Sequence, residues 1–299
     1  MAARYCYERT AGSATLTPLK QKADWRIYDA ELSDAPEPQT DDTPITFEYY
    51  EQRAAGIHPV IVVLPILNGQ KNVVRPFASY FAKHGYAVVI VDTVQRNTLL
   101  DDLVEPEGAI RLSVRRHRRI LDWIETREEL DASRIGLFGA SLGGFNALFL
   151  AATDTRIRAV APALVGGKLS EVLTQSTERR IKNAVSQARE ALSIDQEGMA
   201  SYLDRHIETD PVMIAAYINP GQVLMILAKF DNAVPYANQL RLHEALGSPE
   251  AVVIPTGHAT AAAYLFYLRS KTLKFFDRKL GEEWQATGTA SLPANACAG

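Results

Sequence analysis

From His58 onward, the apolar positions of the chain alternate between two periods. PVIVVLP at 59–65 is a run of mostly branched residues with no polar face, the composition of a parallel strand covered on both sides. VVRPFASYFAKHG at 73–85 then spaces its apolar residues three and four apart and stops at a glycine, which predicts a helix. AVVIVD predicts the next strand. The exchange continues with a helix from about Ala109 to Thr126, a strand RIGLFG, a helix starting at Leu142 and a strand RAVAPAL. A later strand QVLMILA, a helix around Asn238 to Leu246, a strand AVVIP and a last helix from about Thr260 complete the series. Strands and helices taking turns predict an α/β fold, a doubly wound and mostly parallel sheet. Reactive groups in such a sheet belong at the carboxyl ends of the strands, where the connecting loops converge.

Two stretches depart from this alternation. At about 1–57, WRIYDAEL and ITFEYYE alternate apolar and polar residues between polar turns, which predicts antiparallel strands at a sheet edge and shows no chemistry. Between Leu164 and Gln222 lie over fifty residues, where a crossover needs only a short helix. KLSEVLTQSTERRIKNAVSQARE and GMASYLDRHIE carry apolar residues at helical spacing there, among them Leu169, Val172 and Leu173, then Met199, Tyr202 and Leu203. We expect a single domain with its core at about 58–164 and 221–280, a helical lid inserted at about 165–220, and a disordered tail at about 285–299, where GTASLPANACAG is small and polar. Leu173 and Leu203 are the expected inward-facing residues of the lid.

The chemistry starts from GLFGASLGGFN at 136–146. Gly139-Ala140-Ser141-Leu142-Gly143 fits G-x-S-x-G between a buried strand and a helix, the context that lifts a serine oxygen clear of a sheet. The competing reading is a glycine-rich turn that only packs a helix close to a strand. The N–H of Leu142 at the helix start is the expected first donor to an oxyanion. A second should come from the loop LPILNG, with Leu67 the preferred donor and Ile66 and Asn68 one register away. A serine hydroxyl needs a base, and His258 follows the strand AVVIP in PTGH. His117 lies on the apolar side of a helix with Val114, Leu121 and Ile124 and reads as a packed histidine, while His58, His84, His206 and His243 read as surface or packing residues. The base in turn needs a carboxylate, and Asp231 comes two positions beyond a buried strand in AKFDNAVP. Asp92 at the end of an earlier strand competes with it; Asp204 and Asp210 fall in helices or their caps.

Composition changes this picture little. The chain has 299 residues, 47% hydrophobic and 22% charged, with a formal net charge of −3, so nothing marks a nucleic acid or an anionic membrane as a partner. Cys6 and Cys297 have no neighbour at metal-ligand or redox spacing. MAARYCYERTAGS soon turns polar and no apolar run reaches a membrane span, which leaves a cytoplasmic location as the expectation.

From His58 to Leu280 the chain resembles the α/β-hydrolase superfamily, in particular the serine-bearing relatives of dienelactone hydrolase and the bacterial esterases. GASLGG, the AKFDNAVP acid loop and the PTGH histidine turn carry that resemblance. It implies a triad of Ser141, His258 and Asp231 that works through an acyl-enzyme, with no cofactor and no metal, and an insertion that covers the site and shapes the acyl pocket. Dienelactone hydrolases themselves use a cysteine nucleophile, and LPILNG lacks the histidine-glycine pair common in that loop. The expected activity is carboxylesterase action on small to medium esters, as a monomer or homo-oligomer and without membrane insertion. Peptide or amide hydrolysis and acyl transfer use the same triad. A binding protein that retains the fold without catalysis is the alternative from another class.

Overall fold

In the strand His58–Leu64 successive side chains enter different cores: Val60, Val62 and Leu64 join one cluster, while Ile61 and Val63 join the other. This period of two is what a strand buried on both faces requires. A computed structural model describes residues 5, 7, 9, 12–32, 44–66, 71–92 and 99–281. The strands are β1 (Ala14–Gln21), β2 (Trp25–Leu32), β3 (Thr46–Gln52), β4 (His58–Leu64), β5 (Ala87–Val91), β6 (Leu130–Ala140), β7 (Ile157–Ala163), β8 (Leu224–Ala228) and β9 (Glu250–Ile254). They form one sheet in the order β1-β2-β3-β5-β4-β6-β7-β8-β9. From β5 to β9 every pairing is parallel, and β1, β2 and β3 add an antiparallel edge.

Helices cover both faces. On one side α1 (Lys71–Lys83) contributes Val74, Phe77 and Phe81, and α9 (Leu265–Leu280) contributes Leu268, Phe275 and Phe276. On the other, α2 (Pro106–Glu125), α3 (Leu142–Thr153) and α8 (Tyr236–Ala245) pack with the helices between β7 and β8. Those are α4 (Leu169–Gln175), α5 (Arg179–Leu192), α6 (Gln196–His206) and the short α7 (Pro211–Ile214). Trp123 of α2 is wedged between Phe47 and Tyr49 of β3, at ring-centroid distances of 4.7 and 5.2 Å, and so anchors the antiparallel edge to the parallel sheet. Among the described residues, no helix is long and apolar enough to cross a membrane.

Three local features differ from the sequence reading. Strand β1 was not foreseen, because it is exposed along most of its length and only Ala14 and Leu16 pack against the core. It carries Pro18 and an irregularity between Pro18 and Lys20, both tolerated on an edge strand. KLSEVLTQSTERRIKNAVSQARE, read only as helical in spacing, is two helices, broken at Ser176–Thr177 and restarted by Glu178, whose carboxylate accepts the Ile181 N–H at 2.9 Å. The last helix is preceded by a 3₁₀ segment, Ala259–Tyr264, so its α-helical part starts at Leu265.

Not all strand pairs are joined to the same extent. β6 and β7 pair from Ile135↔Ile157 to Ala140↔Ala163, with one irregularity between Ile135 and Gly136, and β8 and β9 run in register from Leu224↔Glu250 to Ala228↔Ile254. Between β7 and β8 the ladder is reduced to Ala163↔Ile226 and an isolated bridge, Val160↔Val223.

Candidate active site

Ser141 sits where β6 turns into α3, with φ 52° and ψ −123°, a conformation that costs a non-glycine residue energy unless its surroundings hold it. They do: the Ser141 N–H donates to the Ala163 carbonyl at 2.8 Å, and its own carbonyl accepts the Phe145 N–H at 3.1 Å. Glycines on either side make the turn possible. A Cβ on Gly139 would lie 2.2 Å from the Gly143 carbonyl oxygen, and one on Gly143 would lie 2.0 Å from that of Leu64. The backbone crosses itself and a neighbouring strand too closely for any side chain. Leu142, the first residue of α3 and the residue after Ser141, has an N–H without an intrahelical acceptor.

His258 and Asp231 follow β9 and β8, the strands farthest along the parallel sheet. The loops carrying them are joined by backbone bonds from Lys229 N–H to the Ile254 carbonyl at 3.0 Å and from Phe230 N–H to the Thr256 carbonyl at 2.9 Å. Asp231 is 4% exposed, and both of its carboxylate oxygens have partners. Oδ1 accepts the N–H groups of Ala233 at 2.8 Å and Val234 at 2.9 Å, in the manner of an Asx turn. Oδ2 faces His258 Nδ1 at 2.7 Å and accepts from Gln239 Nε2 at 3.2 Å.

His258 Nε2 lies 3.0 Å from Ser141 Oγ. Because the carboxylate can only accept, the bond to Asp231 places the imidazole proton on Nδ1 and leaves Nε2 as an acceptor for the serine hydroxyl. Residues 117 and 27 positions apart in sequence thus form one continuous relay. Gln239 had no distinguishing signal in the sequence. It is fully buried in α8, bonds Asp231 and the Val234 carbonyl, at 2.8 Å, through its amide nitrogen, and takes the Ala228 N–H at 2.9 Å on its oxygen.

The other candidates are engaged elsewhere. Asp92 accepts the Thr46 hydroxyl at 2.7 Å and pairs with Lys71, which also reaches Glu48 at 3.3 Å; Asp92 braces the corner where β3, β5 and α1 meet. Asp204 pairs with Lys168 and accepts the Ser170 hydroxyl, and Asp210 caps α7 through the Val212 N–H. Ring nitrogens of His58, His84, His206 and His243 bond backbone carbonyls. His117 is buried in α2, its Nδ1 has no hydrogen-bond partner among the described residues, and burial together with the nearby Arg116 charge pushes its pKa down to about 4. Leu67 and Asn68, two of the candidates for the second oxyanion donor, lie outside the described residues. The third, Ile66, lines the cavity beside the serine.

That cavity has a volume of about 370 Å³, at the small end of the range for small-molecule sites. Ser141 and His258 line it, and the rest of its wall is almost wholly apolar, with Val73 and Phe77 from α1 and Leu265 and Leu268 from α9 among its residues. The insertion supplies Glu178 and Ile181. Leu173 and Leu203, expected to face inward, do not line the cavity; they are buried with Val172 and Met199 in the core beneath. The apolar stripe that identified these helices is their attachment to the body.

Comparison with known proteins bears on the fold and the family. Two acetyl xylan esterases share the fold: that of Paenibacillus sp. R4, at a TM-score of 0.65 and 21% identity over 89% of each chain, and that of Thermoanaerobacterium sp. JW/SL YS485, at 0.69 and 16% over 88% of each. In sequence, an uncharacterized 31.7 kDa protein of Escherichia coli is 31% identical over 115 residues, 36% of this chain and 37% of the other. Cutinase est1 of Thermobifida alba is 29% identical over 119 residues, 38% of this chain and 37% of that one. The matched stretch spans little more than a third of either curated relative. The model of the dienelactone hydrolase family matches residues 47–205, a segment that contains Ser141 and stops short of Asp231 and His258. With over half its length matched to that model, and with the α/β-hydrolase architecture around it, the chain belongs to the dienelactone hydrolase family.

Proposed function

We propose that the protein is a serine hydrolase that cleaves small carboxylic esters through an acyl-enzyme. The observation that carries this reading is the relay from Ser141 Oγ through His258 to the buried Asp231, opening onto an apolar cavity. Ser141 Oγ attacks the ester carbonyl as His258 Nε2 takes its proton. Asp231 keeps the other nitrogen protonated and stabilises the imidazolium that results. Negative charge gathers on the former carbonyl oxygen, where the Leu142 N–H stabilises it, the positive end of α3 reinforcing the bond. His258 then returns its proton to the departing alkoxide. Water deacylates the serine by the same steps in reverse order of roles. The apolar wall suits an acyl chain of modest length, and Ile181 brings the insertion to bear on which chain fits.

A fluorophosphonate probe tests the nucleophile without requiring a guess at the substrate. Incubation with the folded protein should modify one residue, located at Ser141 by peptide mapping, and Ser141→Ala should abolish both labelling and p-nitrophenyl ester hydrolysis. Labelling that persists in folded Ser141→Ala would falsify the assignment.

A further inference from the structure

We propose that Glu178 screens substrates by charge: the cavity admits esters whose acyl chain ends in an uncharged or cationic group and turns away those ending in a carboxylate. This rests on the ester-hydrolase reading above and adds the substrate class to it. Among the described residues that line the cavity, Glu178 is the only carboxylate, and none is a lysine or arginine. Its position is fixed from two directions. Its Oε2 accepts the N–H of Ile181, itself a wall residue, at 2.9 Å, and its own N–H donates to the Ser176 hydroxyl at 3.3 Å. The carboxylate is therefore held against the wall at the start of α5, an end of the helix that favours negative charge.

The surroundings make that charge count. An apolar wall screens a charge far less than water does, so a second carboxylate brought into the cavity meets repulsion, with no lysine or arginine among the described lining residues to offset it. An ammonium meets attraction, and a neutral chain meets neither. Discrimination of this kind arises from a penalty on the wrong substrate as much as from a fit to the right one.

The test uses three p-nitrophenyl esters of one chain length, ending in tert-butyl, trimethylammonium or carboxylate. The readout is the ratio of their kcat/KM values, from which a general loss of activity cancels. The wild type should hydrolyse the carboxylate ester most slowly. Glu178→Gln keeps an oxygen for the Ile181 N–H and should narrow the tert-butyl to carboxylate ratio by about tenfold or more, and Glu178→Lys should favour the carboxylate ester. On the wild type alone, raising the ionic strength should narrow the same ratio, which gives a reading even if the variants do not fold. Hydrolysis of all three esters with a ratio indifferent to Glu178 and to salt overturns the charge screen and leaves the hydrolase reading in place. No hydrolysis of any ester, together with no labelling of Ser141, overturns both.

Discussion

Asp231 and Asp92 both follow a buried strand, and their bonding separates them. Asp231 receives two backbone N–H groups and the Gln239 amide on a carboxylate that faces His258, whereas Asp92 is spent on Thr46 and Lys71. Asp231→Asn, in a protein that still folds, should lower kcat by about 10⁴, since an amide can hold the wrong imidazole tautomer. Asp92→Asn should cost far less in kcat, and steady-state kinetics on the purified variants compares the two. His117 makes a different kind of prediction. Its folded pKa is depressed to about 4 from an ordinary 6.5, so the unfolded chain binds its proton first as the pH falls. The stabilisation is complete above pH 6.5 and is lost as the pH drops through that window to about 4, by on the order of 3 kcal/mol. His117→Leu should flatten that acid limb in a plot of Tm against pH; an unchanged limb would assign the acid sensitivity to other groups.

At the scale of elements, the insertion divides its labour between two kinds of apolar residue. Ile181 touches the cavity, and Leu173 touches only the core. Ile181→Ala should flatten the preference among p-nitrophenyl esters of increasing acyl length by several-fold. Leu173→Ala should leave the preference as it is and cost about 2–5 kcal/mol of stability, visible as a shift in denaturant midpoint. A changed length preference in Leu173→Ala would restore it to the pocket. This division marks where the sequence is legible and where it is not. Strands β4 to β8 could be read because burial on both faces leaves only one composition, β9 from its branched residues although it is an exposed edge, and the Ser141 turn because only glycine fits the crossing at Gly139 and Gly143. The relay residues stood out because strand ends gather reactive groups. Helical spacing tells which face of α4 or α6 is buried but not what it is buried against, so Leu173 and Leu203 were mistaken for pocket residues. Glu178 is an uncommon helix cap, and the break it makes between α4 and α5 has no strong sequence signal. Gln239 reads as one more polar residue on a helix until Asp231 is seen beside it.

At the scale of the whole molecule, two apolar cores lie on opposite faces of one sheet, with Val60 and Val62 in one and Ile61 and Val63 in the other. Neither can form without the strands between them, so each core depends on the whole sheet. The weak place is the join between β7 and β8, held by Ala163↔Ile226 and the Val160↔Val223 bridge. Ser141 hangs from one side of that join, and Asp231 and His258 hang from the other. Proteins open locally and sub-globally at free energies below that of global unfolding. A slight parting there would stretch the 3.0 Å contact between Ser141 and His258 while each half kept its helices and strands. Fluorophosphonate reactivity should accordingly disappear at a lower urea concentration than the far-UV circular dichroism signal, and coincident transitions would show the join to be as firm as the rest. The Ser141–His258–Asp231 relay would then serve as a strain gauge laid across the fault line of its own scaffold, silent once the two halves part.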